Sequence, residues 1–178
     1  MKIVVIKGSP REGNTKDLLD AFVKGATDAE ISYFDLGNCT VLPCEACNTC
    51  GKLEGKCKHD DETNEIFSKI EKADAVVFGT PVYWWGISAQ LKAVIDKMYV
   101  YNSINYNVPS KKIGLISVGA LEVGAIQYEL ISKQFECICD FLKWDLCFDE
   151  SFSAYEIGDI RKDAAILEKC EKLYEKFE

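Results

Sequence analysis

Four of the nine cysteines in this chain, Cys44, Cys47, Cys50 and Cys57, fall within fourteen residues in the pattern C-x2-C-x2-C-x6-C. Thiolates are soft ligands, and three at this close spacing can wrap three corners of a [4Fe–4S] cubane, with a fourth ligand from further along the chain. Zinc prefers two C-x-x-C knuckles set more widely apart, so this spacing suits it less. A secreted disulfide framework fits worst, because the cysteine count is odd and no export segment precedes the first strand. The other five, Cys39, Cys137, Cys139, Cys147 and Cys170, sit mostly in apolar surroundings and read as inert core residues. His59, the one histidine, reads as a solvated loop residue.

Two further segments carry chemistry of another kind. Gly8-Ser9-Pro10-Arg11-Glu12-Gly13-Asn14-Thr15 stands between a β-branched run and a helical pattern. A helix N-terminus presents unpaired N–H groups and the positive end of the helix dipole, so this turn suits a phosphate. Ser9, Asn14 and Thr15 add neutral donors and Arg11 a charge-assisted one. The segment matches neither G-x-G-x-x-G nor G-x-x-x-x-G-K-[ST], which points to a phosphomonoester rather than a dinucleotide or a triphosphate. Thr80-Pro81-Val82-Tyr83-Trp84-Trp85-Gly86 places three consecutive aromatics in a loop, where they make sense against a flat ligand or a second subunit. One turn suits a phosphate and the other a planar ring, and FMN has both ends.

The elements that position these turns follow from periodicity. Lys2 to Lys7, Ile31 to Leu36, Ala75 to Phe78, Lys112 to Val118 and Phe141 to Phe148 read as strands. Between them come helical patterns: Asn14 to Thr27, capped by Asn14 or Gly13; a helix through Glu71 capped by Asp60 or Asp61; Ile87 to Met98; Ala125 to Cys139; and a C-terminal helix. Alternating strands and helices imply right-handed crossovers and a parallel sheet with helices on both faces, in order 2-1-3-4-5. That order leaves a crevice at the carboxyl ends of the first and third strands, where both turns belong. The whole chain, 1–178, reads as a single domain with a cysteine-rich loop at about 37–61.

Bulk properties exclude several classes. The net charge of −8, with Arg11 and Arg161 the sole arginines, lacks the clustered cations that nucleic acid requires. No apolar run approaches the roughly 18 residues of a membrane span. The expectation is a cytoplasmic protein without nucleic-acid or membrane partners.

GSPREGNT, TPVYWWGISAQLKAVIDK and PCEACNTCGKLEGKCKHDD, in that order, resemble the NADPH-dependent FMN reductase and iron–sulfur flavoprotein group of flavodoxin-like proteins over about residues 1–118. The resemblance implies a flavodoxin-like three-layer sandwich. It also implies that Ser9, Arg11, Asn14 and Thr15 hold the FMN phosphate while Pro81, Val82, Tyr83, Trp84 and Gly86 line the isoalloxazine, with Trp85 in the same turn. The loop beginning at Gly119 would approach the ring from the other side. The implied activity is hydride transfer from NAD(P)H to FMN and onward transfer to a small acceptor, in a homodimer or homotetramer. An alternative is an electron carrier between protein partners without nicotinamide chemistry. In iron–sulfur flavoproteins a compact motif in this loop binds one [4Fe–4S] cluster, whereas other members keep several such cysteines without one or form a disulfide on oxidation. VYWWG looks more like the plain reductases, so both alternatives stay open.

Overall fold

The computed structural model describes residues 1–178. Its sheet is formed by β1 (Lys2–Lys7), β2 (Glu30–Asp35), β3 (Ala75–Pro81), β4 (Lys112–Gly119) and β5 (Asp145–Ser153). The strands run in the order β2-β1-β3-β4-β5 with every pairing parallel, as expected for the flavodoxin-like sandwich. The connecting helices are α1 (Asn14–Gly25), α2 (Thr63–Lys72), α3 (Ala89–Lys97), α4 (Ile126–Leu142) and α5 (Ala164–Lys172). None is long and apolar enough to cross a membrane.

Period-two alternation along the strands divides the core into two layers. Val4, Ile6, Val76 and Phe78 point into one layer, closed by Ile66, Ile70, Leu91, Val94, Ile131 and Phe135 of α2, α3 and α4. Ile3, Val5, Ala75 and Val77 point into the other, closed by Leu18, Leu19 and Phe22 of α1 and by Cys170 of α5. Every residue of β3 is buried, which is why it reads as a continuous apolar run rather than an alternating one. Each fully buried Phe, Leu or Ile contributes roughly 1.5–3 kcal/mol relative to exposure.

β5 differs from the strand expected at Phe141–Phe148. Phe141 and Leu142 instead complete α4, which stops at Lys143, a non-glycine residue in the left-handed region at φ 57°. As the outer strand paired only with β4, β5 carries Asp145, Asp149, Glu150 and Ser151, so apolar content marked it poorly. A register shift at Ile113/Gly114 lets the Phe148 ring lie over Gly114, where a Cβ would come within 2.1 Å of the ring. The C-terminal stripe resolves into α5 flanked by 3-10 turns at Ile160–Lys162 and Leu173–Phe177. At the start of α1, neither Asn14 nor Gly13 supplies a side-chain cap.

Candidate functional site

The turns after β1 and β3 are joined by hydrogen bonds at the carboxyl edge of the sheet. Gly8 N–H donates to the Gly79 carbonyl at 2.7 Å, and the Ser88 hydroxyl donates to the Gly8 carbonyl. A Cβ on Gly8 would meet the Gly79 carbonyl oxygen and Leu91 Cβ, both at 2.9 Å, so the approach needs glycine. Ser88 also caps α3 by accepting from Leu91 N–H. The two turns therefore move as one piece.

Ser9, Arg11, Gly13, Asn14 and Thr15 line a crevice of about 130 Å³ with Pro81, Val118, Gly119 and Ala120. The backbone N–H groups of residues 12–16 donate to no protein acceptor, and Ser9 Oγ stabilises the turn by accepting from Arg11 N–H at 3.2 Å. No carboxylate lines this crevice although the chain carries a charge of −8. Open donors, one guanidinium and no acid are a combination that suits an anion.

Asn14 lines this crevice, and its side chain is also engaged beyond it. Its Nδ2 donates to the Glu156 carbonyl at 2.9 Å, and its Oδ1 accepts from Gly158 and Ile160 N–H at 2.9 and 3.3 Å. Asn14 thereby braces the segment after β5, whose Ala154, Tyr155 and Ile157 form a further crevice wall. Sequence reasoning missed that wall because it ended β5 at Phe148. No local motif marks these residues; the period-two pattern through Phe152 was the available cue.

Val82 N–H donates to the Val118 carbonyl at 2.8 Å, extending the β3–β4 ladder to the aromatic turn. Tyr83 and Gly86 then pair with each other, N–H to carbonyl both ways, at 2.9 and 3.1 Å. The two residues between them, Trp84 and Trp85, have φ of 47° and 62°. Two left-handed residues in a two-residue turn are the hairpin geometry that normally selects Asn-Gly, and bulky side chains there are strained by roughly 1–2 kcal/mol each. Trp84 is 91% exposed and Trp85 49%. Neither lines the anion crevice, nor do Tyr83 and Gly86; they stand beside it. On the β4 side, the Tyr128 hydroxyl lies 2.8–3.1 Å from the carbonyls of Gly119, Leu121 and Phe152, holding the loop after β4 against the end of β5. Gln127 Nε2 is buried without a partner in the same region.

The cysteine loop forms a second site at the other end of α3. Cys44, Cys47, Cys50 and Cys57 all line one small pocket of about 30 Å³ with His59, Lys97 and Tyr99. The nine residues of α3 span about 14 Å between the Ser88 cap and this pocket. All nine cysteines are free thiols. No three His, Cys, Asp or Glu side chains converge tightly enough for a single metal ion. Left-handed backbone at Ala46 and Asn48 turns the chain between successive cysteines. The N–H groups of residues 44–48 donate to no protein acceptor. Thr49 donates its hydroxyl to Cys47 Sγ at 3.2 Å, and this bond with the Thr49 N–H draws the thiol below its usual pKa.

What fixes this loop is α2 and a buried ion pair. Asn64 brackets Cys57, accepting from its N–H at 2.8 Å and donating to its carbonyl at 3.0 Å. Asp61, with no side-chain exposure, accepts from Leu42 N–H at 2.9 Å and from Lys97 Nζ at 2.7 Å. Burial pushes the Asp61 carboxyl up, but Lys97, the Thr63 hydroxyl and two N–H groups outweigh it and bring it to about 2. His59, expected in solvent, is 10% exposed, with Nδ1 unpartnered and Nε2 3.5 Å from Glu45. Among the other cysteines, burial drives Cys139 and Cys170 up to about 12, matching inert core thiols, whereas Cys137 is exposed.

Known proteins are similar to this chain. An iron–sulfur flavoprotein of Methanocaldococcus jannaschii is 38% identical over 129 residues, 70% of this chain and 65% of the relative. Another, of Methanosarcina thermophila, is 34% identical over 127 residues, 70% of this chain and 66% of the relative. The chain thus matches just under two thirds of the length of these relatives. Among solved structures, an NAD(P)H:quinone oxidoreductase from Methanothermobacter marburgensis superposes with a TM-score of 0.74 at 16% identity, covering 100% of this chain and 99% of the other, a likeness of fold. The profile of the NADPH-dependent FMN reductases matches residues 1–135, which contain both turns, the cysteine loop and four of the five strands, and the chain belongs to that family.

Proposed function

We propose that the chain is an FMN-dependent oxidoreductase that takes hydride from NAD(P)H and passes electrons to a small acceptor. The observation that carries this is the carboxylate-free crevice with open N–H groups at residues 12–16, set beside the strained Trp84-Trp85 turn. Ser9, Arg11, Thr15 and those N–H groups would hold the phosphate. Pro81, Val82, Tyr83, Trp84, Trp85 and Gly86 would meet the ring on one side and the loop from Gly119 on the other. Bound FMN would supply the hydride-accepting centre. The chain's own part is orientation: hydrogen bonds between the two turns fix phosphate and ring ends relative to each other, and no side-chain acid or base is required. Anaerobic addition of NADPH and of NADH to the FMN-loaded chain should bleach the flavin band. A chain that binds FMN but bleaches with neither is an electron carrier instead.

The four cysteines around one pocket, too dispersed for a lone ion, favour one [4Fe–4S] cluster held by Cys44, Cys47, Cys50 and Cys57. Such a cluster would relay single electrons. The unpaired N–H groups of residues 44–48 and the low Cys47 thiol suit an anionic sulfur cluster. Iron and sulfide analysis after anaerobic purification tests this; a chain with FMN and no iron would leave the thiols as loop chemistry. Exposed Trp84 and Trp85, and Ile126, Leu130 and Phe141 on the outer face of α4, support a homodimer or homotetramer, testable by sedimentation.

A further inference from the structure

Glu12 is the one side chain between Arg11 and Thr15 that does not line the crevice. Although 64% exposed, its carboxylate is turned back onto Lys7, with Nζ to Oε1 at 2.8 Å. Lys7 ends β1 with its side chain 1% exposed, and it also holds both oxygens of Asp35, at 2.9 and 3.0 Å. Asp35 is fixed from its other side by Gly37 N–H and the Asn38 amide, each at 2.9 Å. Asp35 is thus saturated and immobile, whereas Glu12 depends on Lys7 alone.

A released Glu12 would do harm: it stands next to Arg11 in sequence and would pair with the guanidinium the crevice offers. We propose that Lys7 is a positioning residue for the phosphate site: by pinning Glu12 outside the crevice it keeps Arg11 and the open N–H groups free for a phosphomonoester. The inference rests on the phosphate assignment of residues 8–15 and adds a source of selectivity for the phosphorylated flavin over the bare one.

The test titrates flavin-stripped full-length chain with FMN and with riboflavin, which lacks the phosphate, at low and high salt. Lys7→Met should lose about tenfold in FMN affinity at low salt while riboflavin affinity holds. Adding Glu12→Gln to Lys7→Met should restore FMN affinity to within about twofold. Should Lys7→Met fold poorly, Glu12→Asp serves, being a surface change one methylene too short to reach Lys7. It should lose FMN selectivity severalfold while Glu12→Gln does not, reversing the usual order of conservative changes. Parallel losses of FMN and riboflavin, or no rescue by Glu12→Gln, would reduce Lys7 to a structural ion pair and overturn the inference. A wild-type chain that binds both flavins equally would instead remove the phosphate assignment, and the inference with it.

Discussion

The two sites of this chain are built by opposite means. Around residues 8–15 the sheet does the positioning: strand ends, a helix start and backbone hydrogen bonds such as Gly8 N–H to Gly79 place the backbone donors, and side chains such as Ser88 and Asn14 brace them. Around residues 44–57 the backbone has almost no regular structure, and order comes from side chains of other elements, chiefly Asp61, Asn64 and Lys97. A site whose donors are placed by the fold is sensitive above all to backbone crowding. A site made by a few buried anchors has the reverse weakness.

Asp61→Asn is the sharpest way to break this contrast. It leaves the Lys97 ammonium buried without its counter-ion, expected to cost about 3–5 kcal/mol in urea unfolding. Amides of the cysteine loop, Leu42 and Cys57 among them, should lose hydrogen-exchange protection first while Gly8 and Val82 keep theirs. Equal loosening of both regions would mean the loop has no separate anchor. Next in size is Gly8→Ala, whose new Cβ must displace the Gly79 carbonyl; about 1–3 kcal/mol of destabilisation and weaker FMN binding are expected, with cysteine chemistry unchanged.

The same contrast should appear on acidification. The Asp61 carboxyl is lowered on folding from 3.8 to about 2, so its contribution to stability is complete above about pH 4 and fades as pH falls through 2. That contribution is about 2 kcal/mol, and the acid-unfolding profile of Asp61→Asn should lack this component. The smallest effect concerns the aromatic turn. Asn-Gly in place of Trp84-Trp85 should stabilise the chain by about 1 kcal/mol, because the left-handed strain is relieved, while weakening flavin binding. A loss of stability would show that the tryptophans are held by packing rather than retained against strain.

Much of this was legible in the residues. β1, β3 and β4 announced themselves through branched apolar runs, and the topology rule then located the crevice before any side chain was placed. β5 was misplaced because an outer strand need not be apolar and because α4 ends at Lys143 without a glycine to mark the stop. The Asn14 brace and the Tyr155 wall were invisible for a related reason: both depend on a contact 142–146 positions away in sequence, which no local pattern encodes. The cysteine spacing was plain, yet the Lys97–Asp61 anchor beneath it was not, since a lysine on a helix stripe ordinarily reads as solvated.

The Asn14 brace also orders events in time. Its carbonyl and amide partners lie at residues 156–160, so a nascent chain can display the entire family motif region, 1–135, and still lack one wall of the anion crevice. The FMN binding proposed for this crevice would arrive only when the last strand has joined the sheet edge and its following segment has closed over the first helix. Long-range closure of this kind is slow to form, and a chain interrupted late in synthesis would lack this wall together with Phe148, Cys170 and Phe177 of the core layer beneath α1.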